Sequence, residues 1–436
     1  MLRKVLLFLL SAGLAGAEVH SFTLEQTLDI ASRQSPDITL ARLDQQRAQA
    51  DVRVATDPFR PKIYGGSGLA FTAGYPNTID GNAPSLFEAK TIMSLFNRPK
   101  SYELAATKEL VHGAQFRAQA KADDVAYRAA DLFLTARQTE HDRTMLASEV
   151  PTLQKVLDVV NAGAQEGHQL PLEVKRAKVN LAVSQQRLDA LRLDGDYDEM
   201  MLAVLLGFPA TDRVKPVDAP IAFQFTPQSE EDASDIALRN NKELKQIQSN
   251  VLAKEMYRRS YRAHRIPQVD LVAQYSLFAR YNYSQYFQKF QRNNGQLGAS
   301  ITIPLLTGSA SKGYEAQAEI DMQKLRIQAG QIRNRVLTDT RRAYQQWQKA
   351  KEIRDLARMQ LDLAREDMTV ALAQNNEGRL PISQLEQKRL EENDRWMGLY
   401  DADTQVTRAE LAILRQMGTL LAVVRGASTA PESSHP

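Results

Sequence analysis

No cysteine occurs among the 436 residues. That absence excludes disulfides, thiolate catalysis, cysteine-ligated metal and a lipid-modified N-terminal cysteine. Neither sign of charge prevails: 55 Lys and Arg stand against 52 Asp and Glu, and the net charge of +3 is too weak to argue for a nucleic-acid partner. Aromatic residues make up only 7% of the chain. No apolar run approaches the roughly 18 residues that a membrane-spanning helix needs. Any crossing of a bilayer would therefore be made by strands. The six histidines, His20, His112, His141, His168, His264 and His435, show no metal-ligand spacing on a helix. Phosphate-binding Gly-rich loops and nucleophile elbows are missing too. Catalytic residues, cofactor-binding residues and metal ligands are accordingly all expected to be absent, and the chain is not expected to be an enzyme.

What is present favours helices. Ala, Leu, Gln and Arg are abundant, a quarter of the residues are charged, and the mean hydropathy is −0.40. The N-terminus reads as a signal peptide over residues 1–17. Arg3 and Lys4 form its basic region, Val5 to Leu14 its short apolar region, and Ala15-Gly16-Ala17 a small-x-small cleavage site before Glu18. Without the leader, 53 basic residues stand against 52 acidic ones.

The rest of the chain repeats itself. At an offset of 206, Asp29-Ile30-Ala31 and Arg33 match Asp235-Ile236-Ala237 and Arg239. Pro61-Lys62-Ile63 likewise matches Pro267-Gln268-Val269, and Tyr102-Glu103 matches Tyr314-Glu315. Leu170-Pro171-Leu172 matches Leu380-Pro381-Ile382, and Leu202-Ala203-Val204-Leu205 matches Leu411-Ala412-Ile413-Leu414. Five matches in one order across two halves mark an internal duplication. The expected division is a first repeat over 18–206, a linker over 207–230, a second repeat over 231–419 and a loosely ordered tail over 420–436.

Each repeat reads as helix, strand, strand, long helix, turn, helix. The first helix is expected from Leu24 to Ala55, with its copy from Glu231 to Arg262. Both stop near a proline, which pushes the preceding residue out of the helical region. The strands alternate. Val269, Leu271, Ala273, Tyr275 and Leu277 oppose Asp270, Gln274 and Ser276, and Leu297, Ala299, Ile301 and Ile303 oppose Gln296, Gly298, Ser300 and Thr302. In the first half Phe87, Ala89, Met93 and Leu95 oppose Glu88, Lys90 and Ser94, while the strand Ile63 to Phe71 is Gly-rich. Such period-two patterning suits a membrane barrel strand and also a half-buried strand of a soluble sheet. The export signal and the lack of an apolar helix favour the barrel. Tyr75 to Pro84 and Tyr283 to Asn294 are expected to be its outward hairpin tips.

A long helix follows each hairpin. Tyr102 to Asn161 would span about 90 Å, with a kink or short break expected at Pro151. Its copy, Tyr314 to Asn375, has no proline and carries apolar residues three and four apart, a seam for neighbouring helices. Four strands per chain cannot close a membrane barrel, for which about eight is the minimum. Two copies would give eight strands and three would give twelve. The densest basic patch, Arg258 to Arg265, reads as a solvated helix end near the membrane, suited to anionic headgroups of outer-membrane lipid. A periplasmic coiled-coil structural or adaptor protein without a pore would explain the seams equally, but not the amphipathic hairpins.

These features resemble the outer-membrane efflux protein family, the TolC-like channels, from about Phe22 to Thr419. The duplication carries the resemblance, together with the turn from Asn376 to Glu386, similar to the family's Gly-containing helical tip and Leu-acidic pair. Thr302-Ile303-Pro304-Leu305-Leu306-Thr307-Gly308 is similar to the family's strand end, with Leu306 replacing the usual aromatic. The resemblance implies a mainly α fold with a small β part. Long helices would form an α-barrel, and four strands per subunit would contribute to a trimeric twelve-stranded transmembrane β-barrel. It implies a homotrimer in the outer membrane of a Gram-negative bacterium, spanning the periplasm and unlipidated. A periplasmic adaptor (membrane fusion) protein and an inner-membrane transporter would deliver substrate to this passive conduit. It further implies a periplasmic constriction at Glu386 and Ser383, where some members carry a second acid in place of Ser383. The adaptor-contacting tips would be Glu166, Gly167, Leu170 and Pro171, and Glu377, Gly378, Arg379, Leu380 and Pro381. On the residues alone, Glu386 could instead be a solvated helix residue paired with Arg389.

Overall fold

The computed structural model describes residues 18–68, 85–217, 219, 227–278, 292–305 and 308–423. The leader, the whole of the first expected hairpin tip, most of the second, Leu306 and all but the first residues of the tail lie outside this set. The first half runs β1 (Val19–Phe22), α1 (Leu24–Gln34), α2 (Pro36–Thr56), β2 (Lys62–Gly68), β3 (Ser85–Phe96), α3 (Arg98–Gln165) and α4 (Pro171–Leu206). After β4 (Arg213–Pro216), the second half repeats the order as α5 (Glu230–Asn240), α6 (Lys242–Ala263), β5 (Gln268–Phe278), β6 (Asn293–Thr302), α7 (Ala310–Asn376) and α8 (Ile382–Gln416). The fold is mainly helical with a small sheet part, as expected.

Three local expectations change. The helix that opens each repeat is broken in two. In the first copy Pro36 starts a new helix while Ser35 takes ψ 131, and in the second Asn241 takes ψ 116. Secondly, α3 continues through Pro151 without a break. Thirdly, the stretch after residue 206 is not only a connector. Its β4 pairs in parallel with β1, in register from Val19 opposite Arg213 to Phe22 opposite Pro216.

Two compact units result, each drawing on both repeats. One comprises Leu43–Arg117 and Glu243–Ile332 and holds the four-stranded sheet, in the order β2-β3-β5-β6 with every neighbour antiparallel. The register puts Met93, Leu271 and Ala299 in one row, and Ser94, Asp270 and Ser300 in the next. Alternation thus holds across the sheet as well as along it. On the polar face Ser94 Oγ donates to Asp270 Oδ1 at 2.6 Å and Gln274 Nε2 to Glu88 Oε1 at 2.8 Å. On the apolar face Leu297 is 80% exposed and Ile301 63%. β2 and β6 are open edges in the single chain.

The other unit comprises Met1–Arg42, Ala118–Lys242 and Arg333–Pro436. Its core gathers Leu28 and Ala31 of α1, Ala126, Ala129, Phe133 and Leu134 of α3, Leu202 and Leu206 of α4, and Leu411, Leu414 and Met417 at the end of α8. The alanines let helices approach closely, and the large side chains fill the gaps between them. Both last helices end on a glycine in the left-handed region, Gly207 at φ 95° and Gly418 at φ 64°. A Cβ on Gly207 would stand 2.9 Å from the Gln34 carbonyl oxygen, and one on Gly418 would stand 3.4 Å from that of Asn240. The end of each repeat therefore packs on the helix break near its own beginning.

Candidate functional site

Two turns join the long helices. At the first, Gly167 adopts φ 79°, which lets the His168 and Gln169 N–H groups return to the Gly163 carbonyl at 2.8 and 3.1 Å. At the second, Gly378 adopts φ 72°, and Arg379 and Leu380 donate to the Gln374 carbonyl at 2.9 and 3.3 Å. Glycine tolerates this conformation where a side chain would be strained, and the returning N–H groups satisfy the last helix carbonyls. Pro171 then opens α4 in its first turn, where its missing N–H costs nothing, and Pro381 caps α8. One residue, Arg379, separates the glycine from Leu-Pro in the second turn where the first has two, and Asn375 Nδ2 braces the second by donating to the Leu380 carbonyl at 2.7 Å.

The expected tip residues fall on these turns. Glu166, Gly167, Leu170 and Pro171 are exposed on the first. On the second, Glu377, Gly378, Arg379 and Pro381 are exposed and Leu380 is half-buried. Arg379 pairs with Glu377 at 3.2 Å. Leu170, 66% exposed, places an apolar side chain in water at the turn. Isolated exposed leucines are ordinary; one at the tip of a turn is also suited to contact with another molecule.

The structure brings the two turns together. A cleft of about 540 Å³ is lined by Leu153, Val156 and Val160 of α3, by His168 and Gln169 of the first turn, and by Glu173, Arg176 and Asn180 of α4; Pro381, Gln384, Glu386 and Gln387 close it from the second turn and α8. Glu386 is buried, and Arg389 holds its carboxylate at 3.2 Å. The i,i+3 pair is formed, but its carboxylate is not solvated as the spacing alone suggested: packing of α8 against the first turn and α4 buries Glu386 in the wall of this cleft. The backbone of Ser383 lies in the first turn of α8, and its side chain lies outside the described residues. α7 and α8 are tied nearby by Lys388, 3.4 Å from Asp367 and 2.8 Å from Glu391.

His168, Gln169, Glu173 and Arg176 were not singled out together with Glu386 from the sequence. Their shared cleft depends on α4 and α8 being neighbours, and no spacing along the chain reveals that. A second cluster was missed for the same reason. His141 stacks on Tyr400 with ring centroids 3.6 Å apart, and its Nδ1 lies 3.5 Å from Asp142 Oδ1. Burial pushes the Asp142 carboxyl above its ordinary range, nearby Asp401 adds to the shift, and His141 opposes it. Among the described residues no group of three His, Asp or Glu side chains could hold a metal ion, and no helix is long and apolar enough to cross a membrane.

Comparison with known proteins places this geometry. Residues 233–419 match the family model described as outer membrane efflux protein. The search of curated proteins found no match. Among solved structures, the outer-membrane channel OprN is similar with a TM-score of 0.73 at 16% identity, covering 91% of this chain and 89% of that one. The Campylobacter jejuni outer membrane channel CmeC gives 0.74 at 12% identity, with 91% and 86% covered. The outer membrane protein VceC of Vibrio cholerae gives 0.73 at 14% identity, with 91% and 96% covered. At such identities the likeness is one of fold, and it extends over nearly the whole chain.

Proposed function

We propose that the chain is one subunit of a trimeric outer-membrane channel, because residues 233–419 match the outer membrane efflux protein family model and 91% of the chain shares the fold of outer-membrane channels. The carrying observation is the four-stranded sheet, with an exposed apolar face, a hydrogen-bonded polar face and two open edges. Open edges are forbidden in lipid, so the sheet must close on copies of itself. Three copies give a barrel of twelve strands, with Leu297 and Ile301 against lipid and Asp270 and Glu88 toward water.

In this assembly the long helices form a tunnel through the periplasm, reached by export and removal of the leader. The channel is a passive conduit, with substrate delivered by an inner-membrane transporter and a periplasmic adaptor. The adaptor docks on the two turns, and their exposed Leu170 and the Glu377–Arg379 pair supply the apolar and polar contacts. Glu386, one per subunit, lies at the constriction beside Ser383. Three carboxylates at one level favour cations. Opening would draw Glu386 out of its cleft.

Conductance of the purified protein in planar bilayers tests this. A cation-preferring pore is expected, and Glu386→Gln should lower that preference. A protein that stays soluble without detergent and forms no pore would overturn the channel. Unchanged selectivity in E386Q would remove Glu386 from the constriction and leave the channel standing.

A further inference from the structure

Asp212, in the turn ahead of β4, is a buried carboxylate, 8% exposed. Among the described residues no Lys or Arg lies within ion-pair distance of it. Its Oδ1 accepts the Thr211 hydroxyl at 3.3 Å and the backbone N–H of Glu18 at 3.2 Å. Its Oδ2 faces His20 Nε2 at 3.6 Å, just beyond hydrogen-bond reach. The adjacent cation, Arg213, is engaged with Asp196 instead. A buried carboxylate calls for a countercharge. His20 supplies one only when protonated, and its ring lies flat on Phe208 with centroids 4.4 Å apart.

The sequence offers another cation at the same place. Ala15-Gly16-Ala17 is a small-x-small site for a signal peptidase. Hydrolysis there adds water across the Ala17–Glu18 bond, leaving a carboxylate on Ala17 and an ammonium on Glu18. The Glu18 nitrogen already touches Asp212.

We infer that Asp212 is the built-in receptor for the α-ammonium of Glu18, so that removal of the leader completes an ion pair that fastens β1 to β4. Before cleavage the Glu18 nitrogen is a neutral amide with one N–H. After cleavage it is a cation with three, against a carboxylate that has no Lys or Arg within ion-pair distance among the described residues. The strand is then secured at both ends. Arg213 N–H donates to the Glu18 carbonyl at 2.9 Å, and Val217 N–H donates to the Phe22 carbonyl at 2.8 Å. Thr23 follows at once and caps α1 through the Gln26 N–H. Processing thus strengthens the attachment of the segment that enters the first helix. The inference rests on cleavage after Ala17 and not on the channel reading.

The test uses protein exported and purified from cell membranes. Intact mass should give Glu18 as the first residue. The rate of acetylation of the α-amine, measured against pH by mass spectrometry of the N-terminal peptide, then reports its protonation. In the folded wild type the midpoint should lie at least one unit above the ordinary value of about 7.7–8.0, so that labelling at pH 7 is about tenfold slower than in the urea-unfolded chain. The direction is diagnostic, since burial alone would lower the midpoint of an amine. Asp212→Asn keeps the burial and should abolish the upward shift. Another first residue, a midpoint at or below that of the unfolded chain, or an unchanged midpoint in D212N would overturn the inference. If D212N does not accumulate, the comparison of folded with unfolded wild type decides alone.

Discussion

Lys242 offers a demanding test of how the helical unit is held. Its Nζ lies 2.7 Å from Asp123 Oδ2 and 2.7 Å from the Gly418 carbonyl oxygen. The two side chains are only 18% and 14% exposed. Burial pushes the Asp123 carboxyl above its ordinary range, and Lys242 pulls it back down. Lys242→Met keeps the aliphatic stem but leaves a buried carboxylate and a carbonyl without their donor. Removing one partner of a buried pair costs ~3–5 kcal/mol. Asp123 can limit that loss by taking up a proton. In K242M its folded-state pKa lies still further above the unfolded value of about 3.9, so the folded chain binds more protons and stability falls as pH rises through that window. The deficit should be full at pH 8 and partly relieved at pH 5. Urea unfolding in detergent, followed by far-ultraviolet circular dichroism at both pH values, measures it. Asp123→Leu combined with K242M should recover most of the loss, because no lone charge then remains. A deficit equal at the two pH values, or a double variant as unstable as K242M, would refute the uncompensated carboxylate as the cause.

Two further outcomes separate local causes. Gly167→Ala meets open space and should cost only the ~1–2 kcal/mol of the left-handed backbone, whereas Gly207→Ala also brings its Cβ to 2.9 Å from the Gln34 carbonyl and should cost measurably more by the same unfolding assay. Equal losses would show that the close approach relaxes freely. Asp142→Asn removes an ionised group penalised by burial and by Asp401, so it should raise the melting temperature at pH 8, and the gain should shrink as pH falls and the raised Asp142 carboxyl of the wild type takes up its proton. A gain that does not shrink on acidification would point to packing instead of charge.

The duplication and the strands were legible because their signals are local and repeated. The apolar row through Met93, Leu271 and Ala299 follows from alternation in each strand once the partners are paired. The two turns that join the long helices were legible too, since a glycine before Leu-Pro punctuates both copies. The break at Ser35 was foreshadowed by Pro36, yet Asn241 has no proline after it. That second break lies where Asn240 and Lys242 approach Gly418, a long-range neighbour that the helical pattern does not reveal. β1 and β4 are four residues each and stand 194 positions apart at their first contact. Strands so short carry no period, and only folding brings them together. Pro151 shows the opposite case: a breaker by composition, it is carried by a helix of 68 residues with packing partners along its length. The pairing of Glu386 with Arg389 could be read from spacing, whereas its burial against the first turn could not.

The seating of Gly207 near Gln34 and of Gly418 near Asn240 has a bearing on origin. Each half of the chain returns to its own starting point, as a loop of string tied at its knot. Each half-chain is then closed by a contact of its own, and β4 in the join adds a second tie to the start of the first half. A half closed in this way could be copied and fused with its closing contact intact. Divergence afterwards would be free to act on the two turns separately, and it has left one residue fewer between glycine and Leu-Pro in the second than in the first.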